Sequence, residues 1–270
     1  MPETAVSPVG RILRQWRTAR AKSQFDLALD ASVSSRHLSF IETGRSSPSR
    51  QMLLLLSEVL DIPLRERNAL FEAAGYAAIY RETPLDAPQM AQVDRVIGHI
   101  LRAHTITPAV VVNRRYDVLR SNAAASAVMA GRPAKPGVPA LQPNLLRLLL
   151  SPDCLRPTIL NWEDVAANLV HRVRKEALTS ESLRNDLLPL LDELLGGSPA
   201  PSFPIIDLTQ PAGLVLPIRF QAGPHVLSLL STITTLGTPL DVTLQELQIE
   251  AFHPADRESE EILAHLVQGG

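Results

Sequence analysis

The stretch SQFDLALDASVSSRHLSFIETGR, from Ser23 to Arg45, constrains the fold more than any other part of the chain. Ser23 followed by Asp26 has the Ser-x-x-acid form in which a hydroxyl and a carboxylate satisfy backbone donors at a helix start. That predicts a helix through Leu27 and Ala28 to about Asp30. Ala31-Ser32-Val33 carries no apolar period and reads as a turn. Ser34 or Ser35 can cap a second helix, which Gly44 stops. The segment is therefore expected to form two short helices joined by a tight turn.

Turning the second helix at about 100° per residue places Leu38 and Ile41 together, toward a core. Arg36, Ser39 and Phe40 fall on the opposite side, with Ser35 at its N-terminal edge. A cation, two hydroxyls and an aromatic ring then share one outward face. In a DNA major groove, Arg can bond guanine edges, Ser can bond several bases and Phe can touch a thymine methyl. The alternative is that Phe40 packs sideways under a neighbouring helix. Upstream, Val9, Ile12, Leu13 and Trp16 share one face of a helix over about residues 9–20. Arg11 and Arg14 point away from that face. Arg17 sits at its border, where it can reach a partly buried partner, and Glu42 is the candidate. The bland alternative is an exposed pair worth little.

Two helices in this relation make a helix-turn-helix unit, and the run from Gly10 to Leu60 resembles the XRE/Cro-type helix-turn-helix family. The marks are Gln24, the Leu27-Ala28 pair, Val33 in the turn, Ile41-Glu42, Gly44-Arg45 and Pro48, and the likeness covers about residues 8–76. It implies an all-α, five-helix, lambda-repressor-like domain. It also implies that Gln24 bonds a phosphate, that Arg17 pairs with Glu42, and that Ser35, Arg36 and Phe40 contact bases. With the outward face, the expected DNA-binding set is Gln24, Ser34, Ser35, Arg36, Ser39, Phe40 and Arg45. Ser32 stands where the family's turn usually carries Gly, which puts a non-Gly residue at positive φ.

Charge fits a DNA contact confined to this end. Residues 1–50 carry +4 and the remainder −6, within a chain of net charge −2. A basic end on an acidic body does not suit coating of long nucleic-acid tracts. Cys154 is the only cysteine, so neither an internal disulfide nor a multi-Cys zinc site can form. His99 and His104 are five apart on one expected helix and do not stack for joint ligation. No metal or cofactor is expected, and no catalytic motif appears, so the chain is not expected to be an enzyme. No apolar leader is expected, and no run approaches the ~18–20 apolar residues of a membrane span. A cytoplasmic location is expected.

Beyond residue 80 the composition changes. "RETPLDAP" at 81–88 is a Pro-containing joint, followed by a helix over about 90–104. "PAVVVNRRYDVLRSN" carries two short strand signals, and "AAASAVMA" a small helix. Residues 131–143 hold four Pro and two Gly and are expected to be a surface loop. "NLLRLLL" and helices over about 160–178 and 181–195 carry most of the Leu, and "SPAPSFP" at 198–204 is another loop. Three late strands follow in "LVLPIRF", "HVLSLLSTITT" and "VTLQELQIEAF", and a helix over about 256–267 closes the chain. This order predicts an α+β domain with an antiparallel sheet of about five strands.

That order resembles the PAS-like ligand-binding domain of MmyB-type transcription regulators. It is carried by "PAVVVNRRYDVLRSNAAAS", "NLLRLLL" with "NWEDVAANLVHRVRKEA", and "LGTPLDVTLQELQIEAFHPAD", with Pro108, Asp117, Asn122, Asn144 and Trp162 as marks. The likeness covers about 105–257 and implies a sensor for fatty-acid-like ligands. The residues alone allow two readings of the Leu, Val and Ile: they line an acyl pocket, or they fill the core. Alternation in "HVLSLLSTITT" puts Leu227, Leu229, Ser231 and Ile233 on one face. Leu227, Leu229 and Ile233, with Val111, Leu119 and Trp162, are the expected lining. The reading from sequence is thus a helix-turn-helix domain at 1–82, a linker and connecting helix at 83–105, and a PAS-like domain at 106–270. It describes a homodimeric transcription regulator that is expected to bind double-stranded operator DNA and a small apolar, fatty-acid-like effector, such as a bound fatty acid or similar acyl ligand. The alternative is that the C-terminal domain is a ligand-free dimerisation or protein-interaction module.

Overall fold

A computed structural model describes residues 7–130, 143–178, 180–197 and 215–268. Most of the Pro-rich loop expected at 131–143, and the loop at 198–204, lie outside the described residues or at their edges. In chain order the elements are α1 Pro8–Ala19, α2 Gln24–Asp30, α3 Ser35–Glu42, α4 Arg50–Val59, α5 Leu64–Ala73 and α6 Ala91–Ala103. They continue with β1 Ala109–Val112, β2 Val118–Ser121, α7 Ala123–Ala130, α8 Leu145–Leu150, α9 Trp162–Ala177 and α10 Glu181–Leu195. The chain closes with β3 Ile218–Ala222, β4 His225–Thr234, α11 Val242–Glu246, β5 Gln248–Pro254 and α12 Arg257–Gln268. They form two compact units. The first holds the chain up to Thr83 together with Thr238–Gln245, and the second holds the rest.

The helical unit is punctuated as its serines and turns dictate. Ser7, Ser23, Ser34 and Ser49 each accept a backbone N–H three residues on, which relieves one of the unpaired donors at a helix start. Ser23 and Asp26 form the full reciprocal box. Helix α2 ends in a Schellman motif, with Val33 N bonded to Ala28 O and Ser32 N to Leu29 O. Ser32 is the left-handed residue there, at φ 53°, a conformation that costs an L-residue about 1 kcal/mol. Helix α3 ends in the same way with Gly44 at φ 76°. Leu13, Trp16, Leu27, Leu38, Ile41, Leu53, Leu56 and Phe71 form the buried core. Gly10 lets α1 lie directly on the end of α3, since a Cβ there would stand 2.4 Å from Glu42 O.

In the second unit the five strands pair antiparallel in the order β2-β1-β5-β4-β3. Alternation directs Val110, Val112, Phe220, Leu227, Leu229 and Phe252 to one face, where they join residues from α7 to α10 and α12 in a single core. Ala109, Val111, Ile249 and Ala251 point to the opposite face and are buried as well. The β1–β2 hairpin turns through Tyr116 at φ 65°. Asn113 holds the turn, its Oδ1 accepting from Arg115 N and Asp117 N. One expected strand begins later than the sequence suggests. Val242–Glu246 is helical because Asp241 accepts from Thr243 N and Gln245 N, and that cap outweighs the strand preference of Val242 and Thr243.

Candidate DNA-binding face and apolar cavity

The expected DNA-binding residues fall into two groups. Ser35, Arg36 and Arg45 are exposed, and Ser39 and Phe40 half-buried. The Arg36 guanidinium carbon lies 5.2 Å from the centre of the Phe40 ring, and that of Arg45 lies 5.9 Å away. Both cations are thus held beside one aromatic ring. Ser34 belongs to the helix start, its hydroxyl accepting from His37 N. Gln24 is turned inward, where its Nε2 donates to Glu42 Oε2 at 2.8 Å. That bond uses one of its two amide hydrogens.

Glu42 explains how this face is held. It is only 3% exposed, yet its carboxylate accepts from Arg17 Nε at 2.6 Å, Arg17 Nη2 at 3.0 Å and Gln24 Nε2. Arg17 Nη1 donates in turn to Lys22 O at 2.9 Å. The side-chain hydrogen bond to Glu42 raises the Arg17 pKa, so the guanidinium stays charged. One buried carboxylate therefore ties the end of α3 to α1 and to the start of α2, and this fixes the angle at which α3 presents Arg36 and Phe40.

The second unit contains an apolar cavity of about 50 Å³. Val110, Phe220, Leu229 and Phe252 line it from the sheet, Ala125 and Met129 from α7, and Leu145, Leu148 and Leu149 from α8. Of the lining expected from sequence, Leu229 is here. Leu227 is buried on the same sheet face, while Val111 points to the opposite one. Leu119 is half-buried on β2, and Ile233 is 43% exposed. Trp162 packs against the core with the Arg156 guanidinium 3.7 Å from its ring centre. The phase of β1 is the signal that could have chosen Val110 over Val111. Nothing in the sequence shows that Phe220 and Phe252, 32 residues apart on β3 and β5, converge on one cavity.

Beside the cavity lies a charged cluster that sequence reasoning did not find. Glu250 is directly paired with Val110, a cavity residue. It is 2% exposed and receives Arg172 Nη1 and Nη2 at 3.4 and 3.3 Å. Arg172 Nε donates to the Tyr116 hydroxyl, which donates to Glu176 Oε2 at 2.9 Å. Burial raises the Glu176 pKa, against the lowering effects of the Tyr116 hydrogen bond and the Arg172 charge. Burial likewise raises that of Tyr116, so the phenol stays protonated.

Three of the polar residues that carry the family likeness are ties within the fold. Asn122 accepts from Ala109 N and Ala125 N and donates to His104 O and Thr107 O. Asn144 caps α8 and donates to Asp117 Oδ1 and Arg115 O. Among the described residues, no group of three His, Cys, Asp or Glu could hold a metal ion. Nor is any described helix long and apolar enough to cross a membrane.

The helix-turn-helix unit and the α+β unit both match family models, and together these make the chain a DNA-binding transcription regulator with a ligand-binding domain. A family model described as helix-turn-helix matches residues 13–67, and one described as an MmyB-like transcription regulator ligand binding domain matches residues 93–266. The chain belongs to the family of regulators that carry this MmyB-like ligand-binding domain. Both matched families are transcription-regulator domains, not enzymes. No curated protein matches. One solved structure, titled "Structure of an RNA-binding Light-Oxygen-Voltage Receptor", aligns at 12% identity and a TM-score of 0.30. The alignment covers 97% of this chain and 62% of that one. At that TM-score it supports no argument about fold or function.

Proposed function

We propose that this regulator binds operator DNA as a homodimer, through Arg36, Phe40 and Arg45 on α3 and its C-terminal turn, and that a fatty-acid-like effector controls it. The observation that carries the effector reading is the cavity between α7, α8 and the sheet, whose lining side chains are all apolar. An apolar wall with no polar group selects by shape and dispersion, which suits hydrocarbon. The neighbouring Arg172, Tyr116 and Glu250 add a reason to expect a polar head on that hydrocarbon. An acyl chain in the cavity that extends past Val110 along β5 meets this cluster. The cavity holds one or two methylenes as it stands, since a cavity of about 150 Å³ is needed for benzene. Entry of a long chain therefore requires repacking, and Met129, flexible and unbranched, is the side chain best able to move.

The small volume is also the observation in favour of the second reading, a C-terminal domain that serves as a ligand-free dimerisation module. Denaturing extraction of the purified full-length protein followed by mass spectrometry separates the two. A stoichiometric acyl species supports the sensor. An empty extract, with no shift in Tm on titration of long-chain fatty acids, transfers the assignment to the dimerisation module.

A further inference from the structure

Helix α5 starts without a cap of its own. Pro63 occupies its N-cap position and supplies no side-chain hydrogen bond. Leu64 N donates instead to Gln245 Oε1 at 2.6 Å. A few residues away, Asp241 accepts from Thr83 N at 3.2 Å and from Thr83 Oγ1 at 2.7 Å, and Val242 N donates to Arg81 O at 2.8 Å. Val242 is 1% exposed. All these residues belong to the helical unit. Both the start of α5 and the end of that unit's N-terminal chain are therefore held by a segment that sequence order places between β4 and β5.

The two strands that flank this segment also line the cavity, through Leu229 on β4 and Phe252 on β5. Hydrogen bonds fail beyond about 3.5 Å, so a strand displacement that carries this segment with it by an ångström would release Leu64 or Thr83. We propose that residues 238–245 couple the sheet to the DNA-binding unit. In this role Gln245 and Asp241 are positioning residues, and a change in β4 or β5 is felt at α5 and at residues 81–83 through them. The use of this coupling for effector control rests on the sensor reading above, but the coupling itself can be tested without an effector.

The test is hydrogen exchange, read by mass spectrometry at Leu64 and Thr83 in the full-length protein. Gln245→Met, which removes the acceptor, should speed exchange at Leu64 about five- to tenfold. Gln245→Glu, which keeps an acceptor oxygen and suits a helix N-terminus, should restore protection. Leu229→Ala should speed exchange at both Leu64 and Thr83, and at Leu64 it should add little once Gln245→Met is present. If Leu229→Ala proves unfolded, Phe252→Leu perturbs β5 more gently and is read in the same way. Two results would overturn the proposal: unchanged Leu64 exchange in Gln245→Met, or faster exchange in β4 and β5 of the strand variant while Leu64 and Thr83 stay as in the wild type. Failure of the sensor reading would show instead as an empty extract, with these exchange rates unaffected.

Discussion

Glu42→Ala tests the lock that holds the DNA-binding face. The substitution removes a carboxylate whose side chain is 2% exposed and leaves Arg17, 12% exposed, with Lys22 O as its remaining acceptor. Gln24 Nε2 loses its acceptor too. Breaking a buried ion pair costs about 3–5 kcal/mol, because the surviving charge stays desolvated. The residual exposure of Arg17 places the expectation near the lower end, about 3 kcal/mol, against less than about 1 kcal/mol for an exposed pair. The chain's two tryptophans, Trp16 and Trp162, fall one in each unit. Urea unfolding followed through Trp16 in a Trp162→Phe background therefore reports the helical unit. With a slope of about 1 kcal/mol per molar urea for a unit of this size, the midpoint should fall by about 3 M. Arg17→Met with Glu42→Leu should recover most of the loss, since it leaves no stranded charge. A midpoint shift below about 1 M, or a double variant as unstable as the single one, would show that the pair is not a buried lock.

Arg36→Ala should weaken operator binding by about 1–3 kcal/mol and relax the preference at one base pair, as measured by competition among duplexes. Gln24→Ala should weaken all sequences alike through phosphate contact, and should also lower stability, because Glu42 loses a donor. Gly10→Ala places a Cβ against backbone oxygens of α3 that cannot give way. It should cost about 2–3 kcal/mol in the same urea assay. Burial raises the Glu176 pKa above its ordinary value of 4.5, so in the window just above 4.5 the folded chain holds a proton that the unfolded chain has released. The stability of the second unit should therefore fall as pH rises through that window and be fully retained below it. Glu176→Gln keeps an acceptor for Tyr116, and should flatten that slope and raise the unit's Tm at pH 7.

The helical unit was legible because its signals are local. Serine caps, the Ser23–Asp26 box, the stop at Gly44 and the 3.6-residue spacing of Leu38 and Ile41 each act within one or two turns. Arg17 and Glu42 were found because each sits at the edge of an apolar face, and such an edge can be read from one helix at a time. The inward turn of Gln24 was not legible. It depends on where Glu42 lies across the bundle, eighteen residues away in sequence. In the second unit the count of strands and their alternation followed from period-2 patterning, which gives each strand two faces but does not choose between them.

By itself, then, the sequence determined the two-domain order, the helix-turn-helix, the antiparallel sheet and the residues that α3 presents outward. All of these follow from caps, turns and periodicity that operate within a few residues. Only the tertiary structure decided which face of β1 meets α7 and α8, and so put Val110 in the cavity and Val111 on the far side of the sheet. It also brought Glu250 to Arg172 across 78 residues, and gave α5 its cap from Gln245 across 181. These pairings join side chains whose separation in sequence carries no periodic signal. They are set by the packing of whole elements, where burial, hydrogen-bond satisfaction and strand register are all met in one arrangement.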